Sequence, residues 1–374
     1  MKSLTKYLNE KLVIFPSQVD EKGSVFPSQV DEKLVIFPSQ VDEKGSVFPS
    51  QVDEKLVINK NYKSPYTCAP TSCGELRKII DDRYDKLGPG TKNNPIDFND
   101  VDVSNIDLFY DNNINMGIFE DTKFEYIDIS DWNVSNVKNM VSMFYKCKQL
   151  KSIGDISDWD VSNVKDMRVM FYHCKQLKSI GDLSNWDISN VTYISYMFND
   201  CEQLKSIGDL SNWDISNVKN ISYMFHNCCN LKSVGDISKW NVSNIESMIS
   251  MFYECKQLKS VGDLSNWNVS KVKYMNSIFY GCEQLKSIGD LSNWNVSKVE
   301  DMNNMFNKCK QLKSIGDLSN WNVSKVNYMI SVFEHCEQLK SVGDLSNWNI
   351  SKVKDMSYMF NKSGITNIPK WYKE

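Results

Sequence analysis

Apolar residues recur at two spacings within a 27-residue stretch, and each spacing predicts a different arm of structure. In residues 159–185 they fall at Val164, Met167, Met170, Phe171 and Cys174, and then at Leu177, Ile180 and Leu183. The first set has the spacing of one side of a short helix, for which Ser162 is a suitable N-cap. The second set is interrupted and followed by Gly, Asp, Ser and Asn, so it favours a short extended segment with turns.

This stretch is one copy of a repeat with a period of 27 residues. Tryptophan marks the frame at Trp132, Trp159, Trp186, Trp213, Trp240, Trp267, Trp294, Trp321 and Trp348. We number the places of each coil from 1, at the tryptophan, to 27. A single coil cannot bury its apolar side alone, so neighbouring coils must stack around a shared core. The sequence therefore predicts a repeat solenoid of α/β type, with a short helical arm and a short parallel strand in each coil.

The N-terminal segment, residues 1–58, has a different repeat. From residue 12 it carries 11-residue units such as LVIFPSQVDEK, copied almost letter for letter. Each unit contains a proline and only three or four apolar residues. A helix cannot run through such a tract, and too little apolar surface is present to form a core, so we expect it to be extended or disordered. A tandem of binding motifs is the alternative.

Residues 59–95 are predicted to form a linker and a capping helix at about 74–87. Ser72 and Glu75 fit a capping box, and a Gly-Pro-Gly sequence ends the helix. The apolar residues expected on one face are Leu76, Ile79, Ile80 and Leu87. Residues 96–361 are predicted to form the solenoid, which begins with a degenerate coil at 101–130, and residues 362–374 to form a C-terminal cap or tail.

Composition excludes several classes of function. The chain has 374 residues and a formal net charge of -4, and its basic residues are interspersed with acidic ones rather than grouped in a block that tracks a phosphate backbone. We therefore expect no nucleic-acid partner. No window approaches the length of a membrane span, and the start of the chain has no readable signal peptide or lipid-anchor motif, so the sequence leaves the localisation open.

Cysteine forms a column at place 16 of the coils. Its members are Cys147, Cys174, Cys201, Cys228, Cys255, Cys282, Cys309 and Cys336. Side chains stacked in register point in parallel rather than toward each other, so we favour a buried ladder of reduced thiols over disulfides. No CxxC pair is present to bind zinc. Cys68 and Cys73 are the one candidate for a local bridge.

Two charged columns run beside the cysteines. Lysine occupies place 20, at Lys151, Lys178, Lys205, Lys232, Lys259, Lys286, Lys313 and Lys340, and aspartate occupies place 24 of the same coils. Eight carboxylates suggest calcium, but each coil also has a lysine four residues earlier. We expect charge-compensated ladders in which the aspartates accept hydrogen bonds in turns.

Catalysis finds little support in the residues. The three histidines, His173, His226 and His335, lie where the coils differ, and no nucleophile elbow, glycine-rich phosphate loop or metal triad accompanies them. Histidines on the surface of a repeat are the simpler interpretation. We therefore predict a protein that is not an enzyme and that needs no cofactor.

The variable places of the coil are rich in tyrosine. The coils differ at places 7, 8, 10, 11, 14, 15 and 17, away from the apolar stripe of the predicted helix. The tyrosines there are Tyr145, Tyr172, Tyr193, Tyr196, Tyr223, Tyr253, Tyr274, Tyr280, Tyr328 and Tyr358. A tyrosine offers apolar area at low entropic cost and a hydroxyl for hydrogen bonding, which is typical of protein or glycan recognition. The alternative is that these rings only shield the edge of the core.

The repeat closely resembles that of BspA-type leucine-rich-repeat proteins, in which W(D/N)xSNVxxMxxMFxxCxxL recurs. Residues 159–177 read WDVSNVKDMRVMFYHCKQL, and the resemblance covers about residues 96–361. It implies a curved, leucine-rich-repeat-like solenoid and, from characterised relatives, adhesion to host or neighbouring-cell proteins. No catalytic residues of the family exist to carry over.

Together, these features predict a non-enzymatic repeat protein that binds a protein or glycan partner, in adhesion or host interaction. The alternative is an intracellular scaffold or structural repeat protein, bacterial or phage-encoded, whose reduced cysteines reflect a reducing compartment.

Overall fold

The computed structural model describes residues 66–373, which belong to one compact unit. The tract predicted to be disordered lies outside the described residues. Within the unit, successive 27-residue coils are aligned in register, and a continuous core of buried apolar side chains runs from Leu76 to Ile365. The elements before the regular coils are the α-helix and the four short strands.

The α-helix, α1, spans Cys73–Leu87. Ser72 is its N-cap, and the Ser72 hydroxyl accepts a hydrogen bond from the backbone N–H of Glu75 at 3.2 Å. The Glu75 carboxylate does not complete a reciprocal capping box but accepts from the backbone N–H of Thr71 at 2.7 Å. Gly88 ends the helix, and its N–H donates to the carbonyl of Tyr84.

Helix α1 covers the N-terminal end of the stacked coils. Leu76 and Ile80 are buried against the core. Leu87 was expected on the same face, but it is 63% exposed and does not pack there. The Arg77 guanidinium donates to the carbonyls of Gly117 and Glu120, at 3.2 and 3.0 Å. The helix therefore satisfies backbone acceptors of the first coil as well as covering apolar side chains.

Four two-residue strands lie in the degenerate first coil and just before it. They are β1 (Ile96–Asp97), β2 (Tyr110–Asp111), β3 (Met116–Gly117) and β4 (Ile127–Asp128). Strands β1 and β4 pair in parallel, with Ile96 opposite Ile127. Strands β2 and β3 are antiparallel, with Tyr110 opposite Gly117.

The helical arm and the strand location predicted for each coil are both wrong. Residues 129–373 contain no α-helix, and strand pairing there is limited to isolated bridges. The bridges are parallel and, apart from Tyr126–Ser152, lie at place 8, including Asn139–Asp166, Asp166–Tyr193, Ser247–Tyr274 and Asp301–Tyr328. The segment expected to be the strand instead carries short 3-10 turns, at Leu183–Asn185, Leu210–Asn212, Ile237–Lys239, Leu264–Asn266 and Leu345–Asn347.

Hydrogen bonding between coils explains why the expected helix is absent. A helix needs each N–H to bond the carbonyl four residues before it. Here the N–H groups of Met167, Phe171 and His173 donate to carbonyls of the next coil, at 2.8, 2.9 and 2.8 Å. Places 11 and 15 also have positive φ in every coil, as at Val169 (φ 51°) and His173 (φ 59°). These left-handed residues interrupt a helix.

Each coil therefore has two arms without regular secondary structure. We call places 6–17 the tyrosine arm, which is residues 164–175 in the coil that begins at Trp159. We call places 18–27 the lysine arm, which is residues 176–185 in that coil. The two arms carry different side chains outward, and this difference organises the candidate site.

Aromatic and sulfur ladders connect the coils inside the core. Phenylalanines at place 13 stack in parallel, as for Phe171 and Phe198 with ring centroids 5.6 Å apart. The Trp213 indole Nε1 donates to the carbonyl of Leu183 at 2.9 Å, and the Cys174 Sγ donates to the carbonyl of Phe144 at 3.1 Å. The same bonds recur in the other regular coils, so the polar atoms of these two columns are satisfied inside the core.

The eleven cysteines are all unbridged in the structure, and the eight of place 16 are buried. Burial raises the pKa of the Cys228 and Cys255 thiols well above the usual range. Burial also raises the pKa of Cys73 to about 12. These groups are therefore protonated thiols at neutral pH and poor nucleophiles.

At the C-terminal end, the last tryptophan continues the ladder although it breaks the period. Trp371 lies 23 residues after Trp348 rather than 27. Its ring nevertheless stacks on Trp348 at 6.4 Å, and its Nε1 donates to the carbonyl of Leu345 at 2.9 Å. The segment after residue 362 therefore packs on the last regular coil.

Candidate functional site

The ten predicted tyrosines all lie on the tyrosine arm, but they occupy three different columns. Place 14 holds Tyr145, Tyr172, Tyr253 and Tyr280; place 11 holds Tyr196, Tyr223 and Tyr358; and place 8 holds Tyr193, Tyr274 and Tyr328. The structure brings six tyrosines from the first two columns into one continuous row. It leaves the place 8 tyrosines outside that row, so the predicted face has two parts with different properties.

The first part, which we call the aromatic row, consists of Tyr145, Tyr172, Tyr196, Tyr223, His226, Tyr253 and Tyr280. Tyr196 and Tyr223 stack with centroids 4.5 Å apart and planes 10° apart. His226 stacks on Tyr253 at 4.5 Å. The row shifts from place 14 to place 11 between Tyr172 and Tyr196, which are 6.2 Å apart. All seven rings are half-buried.

A lysine lies over each end of the row. Lys146 Nζ is 4.7 Å from the centroid of Tyr145, and Lys308 Nζ is 4.8 Å from the centroid of Tyr280. Lys308 also donates to the Tyr280 hydroxyl at 2.7 Å. Ring faces inside the row are covered by the adjacent rings, so the row offers a partner mainly ring edges and hydroxyls.

The second part is the group of exposed tyrosines at place 8. Tyr193 is 55% exposed, Tyr274 40% and Tyr328 38%. The Arg168 guanidinium lies 4.7 Å from the ring centroid of Tyr193, and Lys354 Nζ lies 5.6 Å from that of Tyr328. These three rings do not stack on one another, because coils without a tyrosine at place 8 separate them. Tyr358, at place 11 of the last coil, is 61% exposed and also lies outside the aromatic row. These four tyrosines are the exposed large aromatic side chains of this arm within residues 66–373.

A cluster of His173, Asp200 and His226 on three successive coils lies beside the aromatic row. His173 Nδ1 is 2.8 Å from Asp200 Oδ2, and His226 Nδ1 is 3.9 Å from Asp200 Oδ1. Asn227 donates to Asp200 Oδ1 at 2.7 Å. Burial lowers the pKa of both histidines and outweighs the attraction of Asp200, which raises it. Both imidazoles are therefore predominantly neutral at pH 7.

Sequence reasoning missed this cluster because its residues lie 26 or 27 positions apart and at different places of the coil. The signal that was available is that His226 replaces tyrosine at place 14 and that His173 is followed one period later by Asp200. Neither feature stands out unless adjacent coils are compared side by side.

Other variable places form pairs between adjacent coils. At place 17, Lys175 Nζ lies 2.7 Å from Glu202 Oε1, and Lys310 Nζ lies 3.1 Å from Glu283 Oε1. Such partly exposed ion pairs contribute between about 0 and 1 kcal/mol each. Part of the sequence variation in the tyrosine arm therefore pairs the side chains of adjacent coils, apart from any role in partner binding.

Two further findings apply to residues 66–373. No helix among them has both the length and the apolar character needed to cross a bilayer. No group of three or more His, Cys, Asp or Glu side chains among them is arranged to hold a metal ion.

Comparison with known proteins identifies a family. The model of the family described as "Mycoplasma protein of unknown function, DUF285" matches residues 112–233, 203–315 and 284–372, which together cover more than half of the chain. No curated protein matches the chain.

Solved structures with similarity to this chain include two bacterial repeat proteins. A leucine-rich repeat protein from Eubacterium ventriosum is 16% identical, with 73% of this chain and 78% of that chain covered and a TM-score of 0.34. A leucine rich cell surface protein from Faecalibacterium prausnitzii is 18% identical, with 60% and 80% covered and a TM-score of 0.27.

Proposed function

We infer a function from the geometry, because the chain belongs to the DUF285 family of Mycoplasma proteins, whose description assigns no activity. We propose that it is a non-enzymatic repeat protein that binds another protein through the exposed tyrosines of place 8. The observation that carries the proposal is the exposure of Tyr193, Tyr274 and Tyr328 on the one arm whose outward residues differ between coils.

A protein partner fits this surface better than a glycan does. A sugar ring stacks on an open aromatic face, but the faces inside the aromatic row are covered by adjacent rings. Two of the three exposed tyrosines of place 8 also have a cation over one face. Tyrosine with adjacent arginine is typical of the buried centre of a protein interface, where the ring supplies area and the hydroxyl a hydrogen bond.

We place this binding in adhesion or host interaction. The support for that setting is the resemblance of the 27-residue coil to BspA-type leucine-rich-repeat proteins, whose characterised members are adhesins. The same resemblance supports a curved, leucine-rich-repeat-like solenoid. The alternative setting is intracellular scaffolding.

Site-specific photo-crosslinking tests the binding surface. The full chain carries a benzoyl-phenylalanine in place of Tyr274 or, as a matched control on the same coil, in place of Gln284 on the lysine arm. Each protein is exposed to a panel of purified extracellular-matrix and bacterial surface proteins. We expect crosslinks to one panel protein from position 274 and none to that protein from position 284. Equal crosslinking from both positions, or none from 274 to a protein that binds the chain, contradicts the proposal.

The setting requires a separate experiment. Intact producer cells are treated with protease and then fractionated, and the chain is detected by immunoblot. Loss of the chain from intact cells supports adhesion. Complete protection in intact cells, with digestion after lysis, contradicts adhesion and favours the scaffold.

A further inference from the structure

The lysine arm places one lysine of each coil directly beside the lysine of the next. The backbone N–H of Lys178 donates to the carbonyl of Lys151 at 3.3 Å, and Lys259 donates to Lys232 at 3.2 Å. The column, which we call the lysine column, consists of Lys151, Lys178, Lys205, Lys232, Lys259, Lys286, Lys313 and Lys340. Backbones paired in this way lie about 4.8 Å apart, so the column carries one positive charge at about that interval.

The charges of this column are not neutralised by neighbouring carboxylates. Lys151 forms an ion pair with Glu125. The other seven lysines are exposed, and none forms an ion pair with another residue of 66–373. The expected pairing with the aspartates of place 24 is therefore wrong at the level of direct contacts.

Such a column works against folding. Like charges directly opposite each other on adjacent strands are destabilising. Most neighbouring coils avoid this cost at place 17 by changing sign, as at Lys175 and Glu202, although Lys148 and Lys175 are both basic. Duplication of the repeat does not force the lysine column, because coils that have diverged at place 17 retain lysine at place 20 in all eight copies. A ligand that supplies the missing negative charge accounts for its retention.

We propose that the lysine column binds a linear anionic polysaccharide. Exposed Gln176, Gln257 and Gln311 at place 18 lie next to the lysines and supply amide donors and acceptors for sugar hydroxyls. Lysine is a point charge that suits sulfate and carboxylate groups presented in varied orientations. A pyranose ring advances a linear polysaccharide by about the spacing of the coils, so the rings of such a chain keep step with the lysines.

Other polyanions fit this arm less well. Places 18–27 contain no aromatic residue in the eight coils, so the bases of a single-stranded nucleic acid have no ring to stack on. The leucines and isoleucines of the arm are buried, so it offers a membrane no apolar side chain for insertion. An extended acidic peptide presents carboxylates on one side at about 6.6 Å intervals, which do not match the lysines.

The aspartates of place 24 define one border of this surface. Asp182 Oδ1 accepts from the backbone N–H of Ser184 at 3.0 Å, and the carboxylate packs against Gly208 of the next coil. The aspartates are thus held within turns, while the lysines extend from the chain four residues earlier. Their negative charge repels a polyanion from that side and confines it to the lysine column.

Binding of heparin oligosaccharide to the full chain tests the proposal. The variant replaces Lys205, Lys232, Lys259 and Lys286 with glutamine. The matched control replaces Lys271, Lys298, Lys325 and Lys352, which are exposed at place 5 of four adjacent coils, with glutamine. Four surface charge contacts correspond to a loss of roughly tenfold or more in affinity, so we expect that loss for the first variant and less than about twofold for the control.

Thermal unfolding of both variants separates binding from folding, and we expect neither to melt at a lower temperature than the parent. Equal loss of heparin binding in the two variants contradicts the proposal, because it indicates a response to overall charge. Poly-glutamate or oligo-dT binding as tightly as heparin, with the same dependence on the column, also contradicts it. We expect replacement of Tyr193, Tyr274 and Tyr328 with serine to leave heparin binding unchanged. The test of the lysine column is therefore independent of the proposed protein interface.

Discussion

Successive coils meet through two arms; the outward side chains of the tyrosine arm change from coil to coil, whereas those of the lysine arm repeat. In the tyrosine arm, alternate N–H groups such as those of Met167 and Phe171 donate to the next coil. In the lysine arm, bonds between coils also form, as from Leu183 to Ile207 at 2.9 Å. Both arms therefore hold the stack together through the backbone.

The difference lies in what the side chains do to one another. Variation in the tyrosine arm lets adjacent coils match, as Lys175 does with Glu202 and His173 with Asp200. Repetition in the lysine arm aligns like charges instead. Variation between repeats can thus serve packing, and strict repetition of an exposed residue can mark a site for a repetitive ligand.

Replacing a glycine by alanine is expected to give the largest difference in stability between the two arms. Gly181, in the lysine arm, has φ 94°, and a Cβ there would overlap the Asp155 carboxylate of the preceding coil. We expect Gly181→Ala to lower the free energy of unfolding by roughly 2–4 kcal/mol in urea titration. Gly281→Ala in the tyrosine arm is the control, because its Cβ would lie 2.9 Å from Oε1, at the far end of the Glu254 side chain.

We expect Gly281→Ala to lower the free energy of unfolding by only about 1 kcal/mol, since other coils have lysine or histidine at place 15 with similar φ. Equal losses for the two variants contradict the distinction between the arms.

Val169 offers a stabilising change within the tyrosine arm. It has φ 51° at place 11, a conformation that a β-branched residue adopts only with strain. Asn304 occupies the same place with φ 56°. We expect Val169→Asn to raise the free energy of unfolding by about 1 kcal/mol and Asn304→Val to lower it by about the same amount. A decrease for Val169→Asn would falsify the assignment of strain to this residue.

The histidine cluster predicts a smaller effect that depends on pH. Burial lowers the folded-state pKa of His173 and His226 below their unfolded value of 6.5. The unfolded chain therefore binds protons more readily, so the stability due to the neutral imidazoles is present above pH 6.5 and is lost as pH falls through that value toward the folded-state pKa. We expect the melting temperature to fall between pH 7.5 and 5.5.

The matched variant is His173→Asn with His226→Tyr, which uses residues found at the same places in other coils. We expect it to reduce the pH dependence of the melting temperature across this window. An unchanged slope means that other groups are responsible.

Repulsion within the lysine column predicts the smallest change. Replacing Lys205 with glutamate puts opposite charges beside Lys178 and Lys232. We expect the free energy of unfolding to rise by about 0.2–1 kcal/mol at low salt and the gain to shrink at high salt. The same variant should bind heparin more weakly. A loss of stability at low salt contradicts the view that the column opposes folding.

Much of the stacking followed from the sequence, because a 27-residue period marked by Trp159 and Cys174 places identical apolar residues in register. The helix predicted for each coil was wrong, because consecutive turns give the same i, i+3 spacing of apolar residues. Those turns depend on left-handed backbone at residues such as Val169 and His173. Neither residue is glycine, so the local sequence does not indicate the turns.

The candidate site was predictable only in part. Counting tyrosines identifies the arm but does not separate stacked rings from accessible ones. That separation depends on which coils are adjacent: Tyr196 has Tyr223 at the same place of the next coil, whereas Tyr193 has Asn220 there. The positive charge density of the lysine column was also not apparent from the linear sequence, because its lysines lie 27 residues apart.

The most direct test of the account compares two triple variants in one pair of measurements, the affinity for the crosslinked partner protein and the free energy of unfolding. The first variant replaces Tyr193, Tyr274 and Tyr328 with serine, and the second replaces Tyr145, Tyr172 and Tyr253. We expect the first to lose at least tenfold in affinity with little change in stability, and the second to lose about 1 kcal/mol of stability or more per ring. Partner binding that is unchanged in the first variant contradicts the proposal that the exposed tyrosines form the interface.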